Sequence, residues 1–255
     1  MTDTIFSRAP NVSYTETEPL INVEEFIKIV HSRRSVRVFE KKFIPEDVMN
    51  SCLDLALLAP NSSNLQPWTF YWVRSEKKKN EIIEACLSQP AAKTAAELVV
   101  CVARIGTWNE NRNKMLELLE SSPDVPKQAL DYYKRLVPLA YSQGIFGLFG
   151  LLKKVMLFIY GLKKPSVREP TSKSQMITWA TKSASLACEN LMLALRAYSY
   201  DSCPMEGFDS RRIRRTLNLP KDAYVTMVIG AGKRTKHGIY GPRIRFDRKN
   251  FIKEV

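Results

Sequence analysis

The 255-residue sequence is poor in the residues that build metal centres and disulfide frameworks. It contains two histidines and five cysteines, and the cysteines show no paired spacing. We therefore expect no metal site and no disulfide framework, and we predict that the cysteines are reduced, packed thiols. The N-terminal residues lack a basic segment followed by an apolar stretch and a small-residue cleavage site. A cytoplasmic protein is expected for this reason.

Acidic residues are scarce relative to basic ones. The chain has 39 Lys and Arg against 26 Asp and Glu, which gives a net charge of +13. Three interpretations fit a positive charge of this size. The basic residues could form solvated helix faces with a few of them binding phosphate, or they could bind a nucleic acid, or they could bind an anionic lipid surface. Nucleic acid is not expected as a partner, because aromatic residues are not interleaved with the basic run at 211–215, as binding of single strands requires.

No apolar run is long and uncharged enough to cross a bilayer. Residues 144–162 are mostly apolar, but Lys153 and Lys154 interrupt them, and a span needs about 20 apolar residues. We expect a pair of short helices here, each burying one face and acting as a lid or a dimer arm. Contact of 144–162 with a membrane surface is the less favoured alternative.

Apolar periodicity predicts helices and strands that alternate along the chain, which indicates an α/β or α+β sandwich. The expected helices cover residues 22–30, 45–58, 77–87, 114–119, 127–137, 175–198 and 211–217. Asn22 and Glu25 are the expected capping pair of the first of these helices. Small residues recur on one stripe of the helix at 175–198, which would permit close packing against another helix or a dimer partner. The expected strands cover residues 69–73, 98–103 and 224–230. Residues 1–20 are expected to form a flexible arm, residues 21–255 a single domain, and residues 201–209 a loop.

Two basic motifs suit a phosphate dianion. The first motif places three guanidiniums and a hydroxyl within five residues: Arg33, Arg34, Ser35 and Arg37. Arginine forks match phosphate oxygens bidentately, and a serine hydroxyl adds a further donor. The second motif contains Arg243 and Arg245 on an extended segment, where alternate side chains point the same way. Both motifs therefore predict binding of an anionic group.

Two other motifs suit a planar heterocycle. One precedes the Pro67-Trp68 step and is rich in amides and hydroxyls, which donate and accept as an N–H/C=O edge requires. Its candidate residues are Pro60, Asn61, Ser62, Asn64 and Gln66. The other is a predicted turn whose glycine lets the backbone approach a flat ligand closely. Its candidate residues are Pro204, Met205, Glu206 and Gly207. The four motifs together suggest a phosphorylated aromatic cofactor.

The order and spacing of these four motifs resemble the nitroreductase family of FMN-dependent oxidoreductases. The resemblance covers roughly Glu24 to Phe246 and implies a three-layer α+β sandwich with a mixed, mostly antiparallel central sheet. It also implies a domain-swapped-type homodimer with FMN in the interface. Residues 104–172 do not align with the family, so we treat them as an insertion or lid within the FMN-binding domain.

The resemblance also implies roles for the motif residues. Arg33, Arg34 and Ser35 would hold the FMN phosphate and ribityl chain. Arg243 and Arg245 would complete the phosphate site. The other motif residues would contact the flavin ring, with Arg37 near its N1–O2 edge, residues 204–207 along it, and Asn61, Ser62 and Asn64 reaching it from the other subunit.

Two features are less well matched to the family. The family usually has Ser-Ser where this chain has Asn61 and Ser62, although asparagine keeps the hydrogen-bonding capacity. Gln89 and Lys93 lie where family members often bind the flavin pyrimidine edge. The local sequence around these two residues matches poorly, so they stay alternatives.

The implied function is an oxidoreductase that passes electrons from NADH or NADPH to a flat, electron-poor acceptor by a ping-pong mechanism. The acceptor would be a nitroaromatic or quinone type of molecule. No catalytic side chain is expected, because the flavin carries out the chemistry. The alternatives are a flavin reaction of dehydrogenase, dehalogenase or flavin-destructase type and, less favoured, a non-enzymatic basic protein that binds nucleic acid or membranes.

Overall fold

A four-stranded antiparallel sheet forms the centre of the computed structural model, which describes residues 14–123 and 125–255. The strands are β1 (Trp68–Trp72), β2 (Glu97–Arg104), β3 (Asp201–Met205) and β4 (Ala223–Gly232). Their order is β1-β2-β4-β3, so β1 and β3 are the two edges. A single parallel bridge between Ser35 and Ser202 extends the sheet beyond β3. The prediction of an α+β fold with a mostly antiparallel sheet is confirmed.

Helices α2 (Glu46–Leu57) and α9 (Lys173–Ala197) cover one face of the sheet. The 25-residue α9 approaches the sheet closely because small residues recur along its inner side. Ala180, Ala184 and Ala187 are fully buried there. The predicted helix at 175–198 and its small-residue stripe are both confirmed.

The opposite face of the sheet carries α3 (Glu76–Ala85), α4 (Pro90–Lys93) and α10 (Ser210–Thr216). Ile82 and Ile213 from these helices are buried in one cluster with Val100 and Val228 of the central strands. Apolar side chains on both faces explain why β2 has no alternating pattern. The three-layer arrangement is thereby confirmed.

Helix α1 (Val23–Ser32) lies outside these layers. The side chain of Asn22 accepts a hydrogen bond from the Glu24 amide at 3.0 Å, which confirms the predicted N-cap. None of the ten residues of α1 is buried by the described chain, although Phe26, Ile27 and Val30 are apolar. Residues 1–13 of the predicted N-terminal arm lie outside the described residues. Residues 14–20 are exposed and have no regular secondary structure.

Residues 104–172 are mainly helical. They form α5 (Trp108–Glu120), α6 (Lys127–Asp131), a π-helical turn (Tyr132–Leu136), α7 (Val137–Tyr141), a 3₁₀ turn (Ile145–Gly147) and α8 (Leu148–Tyr160). The expected pair of helices at 144–162 was therefore wrong: one 13-residue helix follows a tight turn. Gly144 and Gly147 have φ angles of 70° and 80°, a backbone conformation that favours glycine, so residues 144–147 form a turn and the helix begins only at Leu148.

No single helix among the described residues is long and apolar enough to cross a membrane. The segments Lys127–Tyr141 and Ile145–Tyr160 meet the length and composition criterion only when taken together, and they are bent by 68° relative to each other.

The expected loop at 201–209 was also wrong, because Asp201–Met205 forms strand β3. Polar residues and Pro204 are typical of loops, which is why the sequence predicts one. An edge strand tolerates proline because only one side of its backbone pairs with a neighbour, here β4. The candidate residues 204–207 therefore lie at the end of a strand.

The five cysteines are all buried and free, as predicted. Burial raises the pKa of the Cys52 thiol to about 11. It raises the pKa of the Cys86 thiol to about 11 as well. These thiols are therefore packing groups without nucleophilic character near neutral pH.

One buried carboxylate connects the end of α9 to the edge of the sheet. Asp201 is 3% exposed and accepts a hydrogen bond from Arg196 Nη1 at 2.8 Å. It also accepts one from Arg234 Nε at 2.7 Å. Arg234 follows β4, so Asp201 fixes the relative positions of α9, β3 and the chain that leaves β4.

Replacing Asp201 with alanine should lower the free energy of unfolding by about 3–5 kcal/mol, because two guanidiniums would lose their partner inside the protein. Urea unfolding measures this change. The matched control is Glu110→Ala, which removes an exposed pair with Lys114. It should cost about 0.5 kcal/mol or less. Equal losses for both variants would contradict a structural role for Asp201.

Candidate active site

The arginine-rich loop after α1 lies along edge strand β3. The amide of Val36 donates a hydrogen bond to the carbonyl of Ser202 at 3.0 Å. The amide of Arg37 donates to the carbonyl of Gly238 at 2.6 Å. Gly238 has no space for a side chain, because a Cβ there would lie 2.4 Å from the Val38 carbonyl oxygen. The loop is thus held between β3 and the chain that follows β4.

The C-terminal segment brings a second pair of arginines to this loop. Arg243 Nη2 donates to the carbonyl of His31 at 2.9 Å and to that of Arg33 at 2.5 Å. Arg34 Nη2 in turn donates to the carbonyl of Gly241 at 2.6 Å. These reciprocal contacts connect segments about 210 residues apart in the chain.

The charges of these arginines act on one another. Partial desolvation and then the positive charges of Arg245, Arg34 and Arg33 lower the pKa of Arg243. One carboxylate, Glu189, lies 3.6 Å from Arg33 Nε. The structure therefore brings together four of the predicted anion ligands in a region that stays strongly positive. We call Arg33, Arg34, Arg243 and Arg245 the arginine cluster.

The predicted ring-contacting turn begins where β3 ends. Gln89 Nε2 donates to the carbonyl of Gly207 at 2.8 Å and to that of Cys86 at 3.0 Å. The charge of Arg37 acts on Cys203 of β3: burial raises the pKa of this thiol, and the positive charge partly offsets the rise. Gln89, left as an alternative from the sequence, therefore contacts the turn directly. Lys93 is exposed at the end of α4.

The amide-rich motif forms a tight loop between α2 and β1. The backbone of Ser63, Asn64 and Gln66 has positive φ angles of 58°, 45° and 45°. The side chain of Asn61 holds this conformation by accepting a hydrogen bond from the Gln66 amide at 2.7 Å. Gln66 Nε2 lies 3.5 Å from Asn64 Oδ1. The amide loop, residues 60–66, thus presents several amide groups on a fixed backbone.

Three tyrosines from the 104–172 segment hold the amide loop. Ser62 Oγ lies 2.8 Å from the Tyr141 hydroxyl, and Ser63 Oγ lies 2.6 Å from the Tyr132 hydroxyl. The hydroxyl of Tyr133 donates to the carbonyl of Ser63 at 2.9 Å. These three tyrosines were not predicted. Residues 132–141 also contain Lys134 and Arg135, and no local pattern marks these tyrosines as partners of the amide loop.

The amide loop also borders an open cleft of about 530 Å³. Asn64 and Gln66 line it together with Phe70 of β1 and two residues of α5, Asn111 and Met115. Asn111 Nδ2 donates to the carbonyl of Leu65 at 2.8 Å, which fixes α5 against the loop. The cleft therefore has amides on one side and apolar side chains on the other.

The arginine cluster and the amide loop lie at opposite corners of the sheet. Trp68, next to the amide loop, is level with Ala103 and Tyr224. Ser202, next to the arginine cluster, is level with Ala231, seven residues further along β4. Three strand spacings of about 4.8 Å and seven residues of about 3.4 Å place these corners roughly 28 Å apart. One protomer therefore does not bring all the candidate ligands together.

The basic run on α10 is partly engaged within the protein. Arg214 Nη2 donates to the carbonyl of Pro220 at 3.1 Å. Arg212 lies 3.5 Å from Asp209 and 3.9 Å from Glu84. Carbonyl and carboxylate groups of the protein itself thus occupy part of the hydrogen-bonding capacity of these arginines.

Comparison with known proteins gives a family match. The model of a family described as the nitroreductase family matches residues 30–233. A protein of Thermus thermophilus named NADH dehydrogenase is 25% identical over 216 residues, which cover 85% of this chain and 90% of that protein.

Solved structures share the fold. A Bacillus subtilis protein described as a nitroreductase, ydfN, has a TM-score of 0.72 at 22% identity, covering 92% of this chain and 100% of that chain. An Exiguobacterium sibiricum protein, also described as a nitroreductase and solved in complex with FMN, has a TM-score of 0.66 at 23% identity. That likeness covers 94% of this chain and 100% of the solved chain.

Replacing Tyr141 with phenylalanine should destabilise the protein by about 1–2 kcal/mol, because Ser62 and Ser63 would lose a buried partner while the ring keeps its packing. The ring centre of Tyr141 lies 4.6 Å from that of Trp179. Urea unfolding measures the loss. The control is Tyr160→Phe at an exposed position, with an expected change of about 0.5 kcal/mol or less. An unchanged free energy of unfolding for Tyr141→Phe would show that the amide loop does not depend on this hydroxyl.

Proposed function

Because this chain belongs to the nitroreductase family, we propose that it is an FMN-dependent oxidoreductase that uses NADH or NADPH as electron donor. Two similar proteins support this proposal: one relative carries the name NADH dehydrogenase, and one solved neighbour contains FMN. Within the chain itself, the observation that carries the proposal is the arginine cluster beside edge strand β3.

The arginine cluster fits the phosphate of FMN. A phosphate monoester carries close to two negative charges near neutral pH. The guanidiniums of Arg33, Arg34 and Arg245 lie close enough for their charges to act on Arg243, so a dianion among the four would relieve their repulsion. Arginine forks also match phosphate oxygens in geometry. We propose that Arg33, Arg34, Arg243 and Arg245 hold this phosphate, with Ser35 adding a hydroxyl donor.

The ring of FMN would lie further along β3. Arg37 is close to Cys203 of that strand and would place a positive charge at the N1–O2 edge. Residues 204–207 would pass along the ring, with the backbone N–H of Glu206 or Gly207 offered to it. Gln89 uses its amide nitrogen to hold the Gly207 carbonyl. We therefore propose that Gln89 positions this turn. Within residues 14–123 and 125–255, Lys93 makes no such contact with the turn.

The amide loop would reach the same ring from a second copy of the chain. A separation of roughly 28 Å within one protomer is too long for hydrogen bonds to a ring held beside β3. The exposed apolar residues of α1 provide surface for the contact between copies. We propose a homodimer in which Asn61, Ser62 and Asn64 of each subunit complete the site of the other, with Pro60 and Gln66 shaping the loop.

FMN, when bound, supplies the hydride chemistry, and the chain's own residues bind and orient the reactants. We propose that the nicotinamide and the acceptor occupy the same place in turn, which is a ping-pong sequence. A flat, electron-poor acceptor such as a nitroaromatic or a quinone suits this place. Met115 and Leu118 of α5 line the cleft beside Asn64, so they are the side chains that we expect to select the acceptor. The other flavin reactions need the same bound flavin and differ in the molecule that reacts with it or in the fate of the flavin itself.

Purified protein should be yellow and should lose its visible absorbance when NADH or NADPH is added without oxygen; a quinone or nitroaromatic should then restore the colour.

In Arg34→Gln/Arg243→Gln, FMN binding should weaken about 100-fold or more, because two charge-assisted contacts to phosphate are lost. Fluorescence titration of apoprotein with FMN measures this affinity. Arg211→Gln, on exposed α10, is the control and should bind FMN normally. Equal affinity for all three proteins would refute the assigned phosphate site.

A mixing experiment tests the shared site. Arg34→Gln/Arg243→Gln would disable one half of each site, and the isosteric change Asn61→Asp/Asn64→Asp would disable the other half. Dimers containing one chain of each kind would have one intact site. An equal mixture after subunit exchange should therefore recover about a quarter of wild-type quinone reduction, although each variant alone is inactive. Inactive mixtures in which mixed dimers are detected would show that each site lies within one subunit.

A further inference from the structure

Helix α8 exposes an apolar face to solvent. Its outward residues are spaced by three and four positions, which places them on one side of the helix. They are Leu148 (68% exposed), Leu152 (56%), Val155 (50%), Ile159 (62%) and Leu162 just after the helix (71%). Phe146, in the turn before α8, is 99% exposed. Soluble proteins seldom expose so many large apolar side chains together, so this face marks a binding surface.

The charged residue in the middle of α8 points inward. Lys153 is 6% exposed, and its Nζ donates to the carbonyl oxygens of Leu139, Ala140 and Ser142 at 3.2, 2.7 and 3.2 Å. The ammonium group thus satisfies carbonyls at the end of α7. A surface helix usually turns its apolar residues inward and its charged residues outward. In α8 the buried side carries the charge of Lys153, and the outward side carries apolar residues.

Basic residues surround this apolar face. The chain from Tyr132 to Arg168 contains seven Lys and Arg and no Asp or Glu. Lys163 and Lys164 follow α8 directly, and both are exposed. An apolar helix face bordered by cations is the pattern of helices that lie in the interface of an anionic bilayer.

A groove of about 440 Å³ runs beside α8. Leu151, Val155 and Phe158 provide apolar lining, and Lys154 and Arg168 add positive charge. Glu169 is the acidic residue in the same lining. An acyl chain matches the apolar part of this groove, and a lipid phosphate matches its two cations.

We propose that α8 docks this protein onto an anionic phospholipid bilayer, with Phe146 and the outward apolar residues entering the interface and the flanking lysines contacting lipid phosphates. Charge favours this occupant over a second copy of the chain. The segment 132–168 carries seven Lys and Arg and no Asp or Glu, so pairing two such faces would bring like charges together with no carboxylate from the segment between them. The proposal does not rest on FMN chemistry, because lipid binding is measured directly.

Flotation of the full chain with lipid vesicles tests the proposal. Vesicles of phosphatidylcholine mixed with phosphatidylglycerol should carry the protein upward, and vesicles of phosphatidylcholine alone should bind it at least about tenfold more weakly. High salt should weaken the binding to anionic vesicles. Ile159→Asp should lower the affinity at least about tenfold, because it places a charge in the apolar face. Lys163→Gln/Lys164→Gln should weaken binding while leaving the apolar face intact.

Phe43→Asp is the matched control, since Phe43 is 85% exposed and lies before α2, outside the proposed surface. It should bind vesicles as the wild type does. Thermal melting should show that all variants are folded. Two results would overturn the proposal: wild-type protein that stays away from anionic vesicles, or equal losses in Phe43→Asp and Ile159→Asp. A change in the number of chains per particle for Ile159→Asp, measured by light scattering, would instead assign this face to a second copy.

Discussion

The register of the antiparallel sheet determines where the two groups of candidate ligands lie. Pairing of β1 with β2, and of β2 with β4, aligns the amide loop with Tyr224. Pairing of β3 with β4 aligns the arginine loop with Ala231. A register shift by one residue would turn buried side chains to the other face, so packing in the three layers keeps this arrangement fixed. The proposed need for a second subunit follows from that fixed geometry.

Each corner of the sheet is held by contacts far apart in sequence. At one corner, Asp201 binds two arginines, and the arginine loop pairs with the neighbouring Ser202. At the other corner, tyrosines from the 104–172 segment hold Ser62 and Ser63. The two corners use opposite chemistry: one concentrates positive charge, and the other fixes neutral amides. A ligand with an anionic end and a planar polar edge matches both, which is why one cofactor can unite them.

Sequence reasoning succeeded where a local pattern determines the outcome. The small residues of α9 and the Asn22 cap depend on nearby residues, and the family resemblance was carried by short motifs. Sequence reasoning failed where contacts between distant parts of the chain determine the local structure. Strand β3 is stabilised by pairing with β4 despite Pro204, and nothing local to 201–209 indicates that partner. The tyrosine contacts to the amide loop join residues about 70–80 positions apart, so no pattern within either segment predicts them.

The segment around α8 also shows that local sequence does not indicate the surroundings of a residue in the fold. Lys153 and Lys154 are adjacent in sequence, and their charges alone argue against a long apolar run. In the fold they face different surroundings: Lys153 is buried against carbonyls of the preceding helix, whereas Lys154 is exposed beside the groove. Removing one charge from the surface makes the outward face of α8 continuous hydrocarbon. Burial lowers the pKa of Lys153, and the three carbonyl oxygens that accept hydrogen bonds from its Nζ partly compensate for the loss of water around this group. The apolar face thus depends on an inward hydrogen-bonded cation.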